Sequence, residues 1–349
     1  MFQFLNEMGT ILTPIIPRRI VSLDHLRGKM LAVDAYVELY QFLALIRLPD
    51  GEPLRAPNGR ITSHLVGLAF RLTRLMVEYG MRFVFVFDGP PHPLKLRELE
   101  RRRAQRSKAL REWREALARG DYETAFSKAV AALSLTKEMV EDAKRMLDLM
   151  GVPWIQAPHD AEAQAAYIVS RGDSWAVGSK DYDSLLYGAP RLVRYVTLTG
   201  TEYLPSKGIV RPLKPEIIEL NEVLSRLRIT RQQLVDLAIL VGTDFNEGIK
   251  GIGPKRALKL IKTYGSLERL PRNIREQLPE NYDEIREIFL NPPVTDKYSI
   301  EPRRPDLGGL AEFLRERGFS EKRIRTILDR LSRITVTARE ESLERWLQS

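Results

Sequence analysis

The sequence predicts an α/β protein with a mostly parallel central sheet flanked by helices. Three observations predict it. Short continuous apolar runs such as KMLAVD (29–34) and RFVFVFD (82–88) end in an acid. Runs of this kind, bounded by turn residues, are typical of strands buried on both faces. Segments with helical periodicity lie between them, and strand–helix alternation favours helices packed over a parallel sheet. The 349 residues, 44% apolar, suffice for one large domain or two ordinary ones.

Residues 29–34 form the first strand. Residues 61–80 read as a helix that closes at Gly80, and 82–88 form the second strand. Residues 94–119 are one charged helix with ten basic and four acidic residues, so +6 of the chain's +9 falls in this segment. Glu98 with Arg102 makes an i,i+4 pair, whereas Glu112 has no base at 116. A solvated helix or an anion-facing one both fit, and the uncompensated positive charge favours the second. Helices follow at 121–133 and 136–150, parted at Gly120–Asp121 and closed by Gly151, Val152 and Pro153. Further strands are expected at 152–156, 174–178 and 191–198. Residues 230–241 open with Thr230 and Gln233, a capping-box pair. In GIKGIGPKRALKLIKTYG (248–265), two glycine turns precede Pro254 at a first helical position. Residues 291–305 are proline-rich and wrap the surface. Helices at 308–317 and 320–334 follow, and the last eleven residues form a tail.

Composition removes whole classes of chemistry. There is no cysteine, so disulfides, thiolate zinc sites, iron–sulfur clusters and cysteine nucleophiles are excluded. The four histidines, His25, His64, His92 and His159, lack zinc-ligand spacing. Any metal should be hard and carboxylate-bound. Of 55 basic residues, 40 are arginine, which suits phosphate recognition and a nucleic-acid partner. A heat-loving source explains the same bias. No apolar run approaches the roughly 18 residues that span a bilayer, and MFQFLNE at the start lacks the basic region of a signal peptide. No membrane association is expected, and the protein is read as cytoplasmic.

Acids recur where strands end: Asp34, Asp88, Asp160, Glu162, Asp181 and Asp183, with Asp244 after an apolar helix. Ligands of open parallel sheets gather at the carboxyl ends of strands. Each acid alone has an ordinary reading: Asp160 and Glu162 favour a helix start, and Asp181 with Asp183 suits a turn. Were the seven to meet, they would repel and raise one another's pKa unless cations bound. Oxygen-only ligands select Mg²⁺ or Mn²⁺, and two such ions can clamp the attacking and leaving oxygens of a phosphodiester. The glycine turns of 248–256 present N–H groups suited to phosphate, the pattern of a helix–hairpin–helix that grips duplex backbone.

At this point the chain resembles the flap endonucleases, structure-specific 5′-nucleases of replication and repair, in their archaeal form. The blocks carrying the resemblance are AVDAYVELYQFL, TSHLVG, FVFDGPP, APHDAEAQAAY, GSKDYDSLLYG, VGTDFNEGIKGIGPKRAL and FSEKRIR, in order from about Met8 to the end. The resemblance implies a PIN-like 5′-nuclease core over 8–304, with a helical arch at about 92–135 and a helix–hairpin–helix at about 230–265. A helical segment at 305–338 and a clamp-binding tail at 339–349 would follow.

It further implies two Mg²⁺ ions, replaceable by Mn²⁺, held by the seven acids. Lys95 and Arg102 would reach from the arch to the scissile phosphate; seven apart, they share a helix face. Tyr40 would stack on a terminal base, and Gly251, Gly253, Lys255 and Arg256 would grip the duplex. Glu340, Leu343, Trp346 and Leu347 occupy the places of a sliding-clamp peptide, with its glutamine and last aromatic altered. The implied activity is cleavage at the base of 5′ flaps, with 5′–3′ exonuclease action, by a monomer associated with the nucleoid. Two alternatives stand beside it: another member of the same superfamily, a 5′–3′ exonuclease or bubble-type repair nuclease, and a non-catalytic DNA-junction or clamp-bound scaffold. Two departures stand out. His159–Asp160 replaces the family's usual Ser-Glu, giving an acid one methylene shorter. The family's opening Met-Gly falls at Met8–Gly9, seven residues in.

Overall fold

The computed structural model describes residues 10–48, 52–132, 134–197, 201–204 and 209–347. Seven strands form the main sheet: β1 (Arg19–Ile20), β2 (Met30–Asp34), β3 (Arg82–Phe87), β4 (Trp154–Gln156), β5 (Ala176–Gly178), β6 (Arg191–Arg194) and, after the hairpin β7 (Thr201–Leu204) and β8 (Ile209–Pro212), β9 (Glu216–Glu219). Their order is β1-β9-β6-β5-β2-β3-β4. The neighbours β6, β5, β2, β3 and β4 run parallel. Strand β9 lies antiparallel to β6 and to β1, so the sheet is mostly parallel with one antiparallel edge. That edge leaves little trace in the sequence, because β1 has two residues, both exposed, and β9 has four that follow a proline.

The central strands read as continuous apolar runs because they face two cores. Leu31, Val33, Phe83, Phe85 and Phe87 point to one side. There α1 (Ala35–Leu45) and α2 (Ser63–Tyr79) are joined by α5 (Lys137–Leu149), α13 (Leu307–Glu316) and α14 (Glu321–Leu347). Ala32, Val84, Val86 and Val177 point to the other. That face is covered by α6 (Ala161–Ser170), α7 (Asp183–Leu186), α8 (Leu220–Leu227), α9 (Arg231–Val241), α10 (Pro254–Tyr264), α11 (Arg272–Arg275) and α12 (Tyr282–Leu290). Period-2 alternation with both sides apolar is what a two-faced strand requires. Each of Phe85 and Phe87, fully buried, contributes roughly 1.5–3 kcal/mol of burial.

Two helices leave this layering. After β3, α3 (Leu96–Ala118) and α4 (Tyr122–Ala131) form an antiparallel pair. Helix α3 is the charged segment of the sequence, and only its Ala109 and Ala116 are buried. A second small hairpin, β10 (Gly242–Thr243) and β11 (Asn246–Glu247), links α9 to the α10 region.

Several local expectations hold. Gly80 ends α2 in the left-handed region, at φ 59°. The Thr230–Gln233 capping box is formed in both directions. Other elements differ. The strand expected over 191–198 stops at Arg194, because Tyr195 takes φ 60° and cannot stay extended. Helix α14 runs to Leu347 rather than giving way to a loose tail; its sequence has no glycine or proline to stop it. Glu340, Leu343, Trp346 and Leu347 lie outside the residues whose side chains are described, and Met8–Gly9 lies outside the described residues. Among the described residues, no helix is long and apolar enough to cross a membrane.

Candidate active site

The four strands β5, β2, β3 and β4 stand side by side, and each delivers an acid at its carboxyl end. Asp34 closes β2 and caps α1, accepting the Val37 N–H at 2.9 Å. Asp88 follows β3 and accepts the Ala161 N–H at 2.7 Å. Asp160 follows β4 and caps α6, accepting the Glu162 N–H at 3.0 Å. Asp181 follows β5. Glu162 lies in the first turn of α6, where Ser179 Oγ donates to it at 2.5 Å. Asp183 opens α7 and accepts the Thr10 N–H at 3.0 Å. Asp244 sits in the β10–β11 turn. All seven line one cavity of about 650 Å³. Capping and cavity-facing roles therefore coincide in Asp34 and Asp160.

The Asp88 and Asp160 turns are locked together. The Gly89 N–H donates to the His159 carbonyl at 2.6 Å. A Cβ on Gly89 would come within 2.4 Å of the Pro158 carbonyl oxygen, so this approach needs glycine.

Helices α3 and α4 roof the cavity. Lys95 ends a short 3₁₀ turn just before α3. Its ammonium contacts Asp160, lies 3.9 Å from Asp244 and stands 5.0 Å from the centre of the Phe245 ring. Arg102 donates to Asp244 at 2.5 Å and to Glu98 at 2.8 Å. The pair Lys95/Arg102 thus shares the cavity-facing side. Glu112, 3.9 Å from Lys108 one turn earlier on α3, pairs more closely with Lys128 of α4 at 2.5 Å.

Electrostatics follow from this packing. Burial, then the neighbouring Asp88, push the Asp34 carboxyl well above the usual range. Burial and the neighbouring acids also raise Glu162 strongly. Asp88 and Asp181 are raised to about 6, with burial the main cause in both. Asp183 is raised to about 7 by burial and then by Asp244. Asp160 goes the other way: burial opposes its charge, but Lys95 prevails and holds it low. Lys95, despite burial, is held above its ordinary value by Asp160, Asp244 and Asp88.

The donor set fits Mg²⁺. It is all oxygen, and its charge is unbalanced despite the two roof cations. Among the described residues, no three acidic or histidine side chains form a ready-made cage. Mg²⁺ seldom uses one, because it keeps several waters and takes one or two carboxylates.

A stability prediction follows. Between about pH 4 and pH 7 the folded chain binds more protons at Asp88, Asp181 and Asp183 than the unfolded chain, whose carboxyls titrate near 4. Stability from these groups is present at low pH and lost as pH rises through 6 to 7. Bound Mg²⁺ should restore it. At 100-fold over its dissociation constant, Mg²⁺ should add about 2.7 kcal/mol at pH 8 and nearly nothing at pH 5. Guanidinium midpoints with and without Mg²⁺ measure this, and a Mg²⁺ increment independent of pH would contradict it.

Two lining residues escaped the sequence reading. Tyr187 donates to Asp160 at 3.2 Å, and Tyr36 lines the cavity with its ring edge against Phe87 at 6.2 Å. Their signal was spacing: Tyr187 lies one turn past Asp183, and Tyr36 two residues past Asp34. Tyr40 is half-buried in the same lining. The glycine turns stand apart from the cavity. Gly251 has φ 82°, and Gly253 caps α10 with Pro254 in its first turn. Lys255 and Arg256 are exposed, and Arg256 donates to the Gly251 carbonyl at 3.2 Å.

Comparison with known proteins places this architecture. Residues 5–109 match the XPG N-terminal domain and 151–244 the XPG I-region. The chain is 50% identical over 332 residues to flap endonuclease 1 of Caldivirga maquilingensis, covering 94% of each. It is 48% identical over 341 residues to flap endonuclease 1 of Pyrococcus abyssi, covering 97% of this chain and 98% of that one. The solved flap endonuclease-1 from Methanococcus jannaschii superposes with a TM-score of 0.76 at 42% identity, covering 95% of this chain and all of that one. The catalytic core of Rad2, solved in complex with DNA substrate, shares the fold at a TM-score of 0.66 and 24% identity. With such identity sustained along almost the whole of both chains, the protein belongs to the flap endonuclease family.

Proposed function

We propose that the chain is a metal-dependent 5′ flap endonuclease with 5′–3′ exonuclease action. It would cut DNA phosphodiesters at the base of 5′ flaps, in Okazaki-fragment maturation and in repair, leaving a 5′-phosphate. The observation that carries this reading is the convergence of acids from four adjacent strand ends beneath a basic helix.

Two Mg²⁺ ions, replaceable by Mn²⁺, would be held by Asp34, Asp88, Asp160, Glu162, Asp181, Asp183 and Asp244. When bound, they supply Lewis acidity toward the phosphate and lower the pKa of water. The protein's own part is positional and electrostatic. Lys95 and Arg102 direct positive charge at the place where the phosphate gains negative charge. The roof of α3 and α4 keeps the reacting strand beneath it, and Tyr40 offers a ring on which a terminal base can stack. A labelled 5′ flap incubated with and without Mg²⁺ tests this: cleavage to a 5′-phosphate product is expected. DNA binding without cleavage in Mg²⁺ or Mn²⁺ would favour a scaffold.

The hairpin of Gly251, Gly253, Lys255 and Arg256 grips the duplex through its backbone, without reading bases. Lys255→Ala or Arg256→Ala should each lower the slope of log affinity against log salt by about 1, equally for unrelated duplex sequences. A slope unchanged in both variants would remove the hairpin from the interface.

The tail, with Glu340, Leu343, Trp346 and Leu347, engages a sliding clamp, and the enzyme acts as a monomer in the cytoplasm. Deleting residues 339–349 should leave unassisted cutting intact and abolish stimulation by added clamp. Equal stimulation of both forms would overturn this assignment.

A further inference from the structure

The segment from β5 into the first residue of α7 carries Asp181 and Asp183 on either side of the buried Tyr182. Next to it, Arg194 ends β6, in which Leu192 and Val193 pair with Val177 and Gly178 of β5. Arg194 is 5% exposed, and all three nitrogens of its guanidinium donate. Nε donates to the Lys180 carbonyl at 2.7 Å, and Nη1 to Tyr182 Oη at 2.8 Å and to Glu216 Oε2 at 2.9 Å. Nη2 donates to Tyr195 Oη at 2.8 Å. The same group lies 4.4 Å from the centre of the Tyr182 ring and 4.6 Å from that of Tyr195. Glu216 is also held by Arg18 at 3.3 Å.

We infer that Arg194 is a positioning residue for the Asp181/Asp183 pair. This inference rests on the proposal that these acids hold divalent metal. Two of the four acceptors, the Lys180 carbonyl and the Tyr182 hydroxyl, bracket Asp181 in the chain. One rigid, planar fork fixes both flanks of that residue. It ties them to a strand on one side and to Glu216 of β9 on the other. Tyr195 takes φ 60°, which a non-glycine residue adopts at a cost. Strain of this kind persists where the surroundings impose it, and here the turn brings the Tyr195 hydroxyl to the guanidinium. Lysine, a point charge on a flexible stem with three donors, cannot reproduce these four bonds.

Arg286 supplies the control. It is a half-buried arginine at the centre of an ion-pair hub, bound to Asp236, Glu268 and Asp283 at 2.7 Å each. None of its partners lines the cavity.

The experiment measures Mn²⁺ binding to the DNA-free protein by the loss of the free-ion resonance signal, for wild type, Arg194→Lys, Arg286→Lys and Asp181→Ala. Supporting partners of metal ligands typically contribute 10–100-fold to affinity. Arg194→Lys should therefore bind Mn²⁺ about tenfold more weakly, with half-saturating Mg²⁺ for cleavage raised alike and the rate at saturating Mg²⁺ largely recovered. Arg286→Lys should lower the guanidinium midpoint without moving Mn²⁺ affinity. If Arg194→Lys does not fold, Tyr182→Phe keeps the ring and removes one bond, and should weaken Mn²⁺ roughly threefold. Wild-type affinity in the folded Arg194→Lys, or in Tyr182→Phe in its place, overturns the inference. So does an equal shift in Arg286→Lys, which would mark general destabilisation. Absence of Mn²⁺ binding by wild type, or unchanged binding in Asp181→Ala, would instead overturn the metal reading on which the inference stands.

Discussion

Asp181→Ala is expected to abolish flap cleavage, by about 10³-fold or more, while DNA affinity measured in Ca²⁺ or EDTA stays within a few-fold of wild type. The scale is that of losing roughly 4 kcal/mol of charge stabilisation in the transition state. Asp181 is buried at the cavity floor and raised to about 6, chiefly by burial. Removing it takes one unfavourable charge out of the metal-free fold. The metal-free variant should therefore unfold at a guanidinium concentration no lower than wild type at pH 8, and its Mg²⁺ stabilisation should shrink. Loss of activity with retained or improved stability is the signature of a site held at a cost to the fold. Asp88→Ala should behave alike in cleavage. Equal loss of cleavage and DNA binding in both variants would contradict the assignment.

Lys95→Ala should lower the single-turnover rate by about 10²–10³-fold, the usual cost of removing one preorganised group that stabilises transition-state charge. Affinity for the flap should change far less. The ammonium is held above its ordinary pKa by Asp160 and Asp244, so it stays charged throughout the neutral range. Its proposed contribution is therefore electrostatic rather than proton transfer. The pH–rate profile of the variant should accordingly keep the wild-type shape while falling in height. Lys95→Arg should recover part of the rate. Lys95 and Arg102 both reach Asp244, so the double alanine variant should fall short of the product of the single effects. A shifted pH optimum, or a loss confined to substrate affinity, would remove Lys95 from this role.

Much of the site was legible before any coordinates, for a definite reason. A strand buried on both faces writes itself as an unbroken apolar run, and the first polar residue after it marks the sheet's carboxyl edge. LAV before Asp34 and FVFVF before Asp88 carry both signals at once. What spacing could not supply was adjacency. Whether β5, β2, β3 and β4 are neighbours depends on crossovers, and Asp244 arrives from a helical region with only the two-residue β10 before it. The antiparallel edge of β1 and β9 was missed because two to four residues give no period. The closer partner of Glu112, Lys128, was missed because it lies on another helix, where i,i+4 reasoning does not reach. Tyr187 was missed because a tyrosine after a leucine pair reads as core, and its ring is indeed packed 4.9 Å from Phe289. Its hydroxyl nonetheless reaches Asp160 in the cavity lining.

The close approach at Gly89 decides how the cavity answers its own repulsion. Asp88 and Asp160 sit on turns bolted through main-chain atoms, so their backbones cannot drift apart. Their spacing is set by the backbone, like the jaws of a fixed-gap caliper. Relief must then come from outside the scaffold, as a proton, an ammonium group or a divalent ion. A single methyl at position 89 has no room against the Pro158 carbonyl and would have to push the two turns apart.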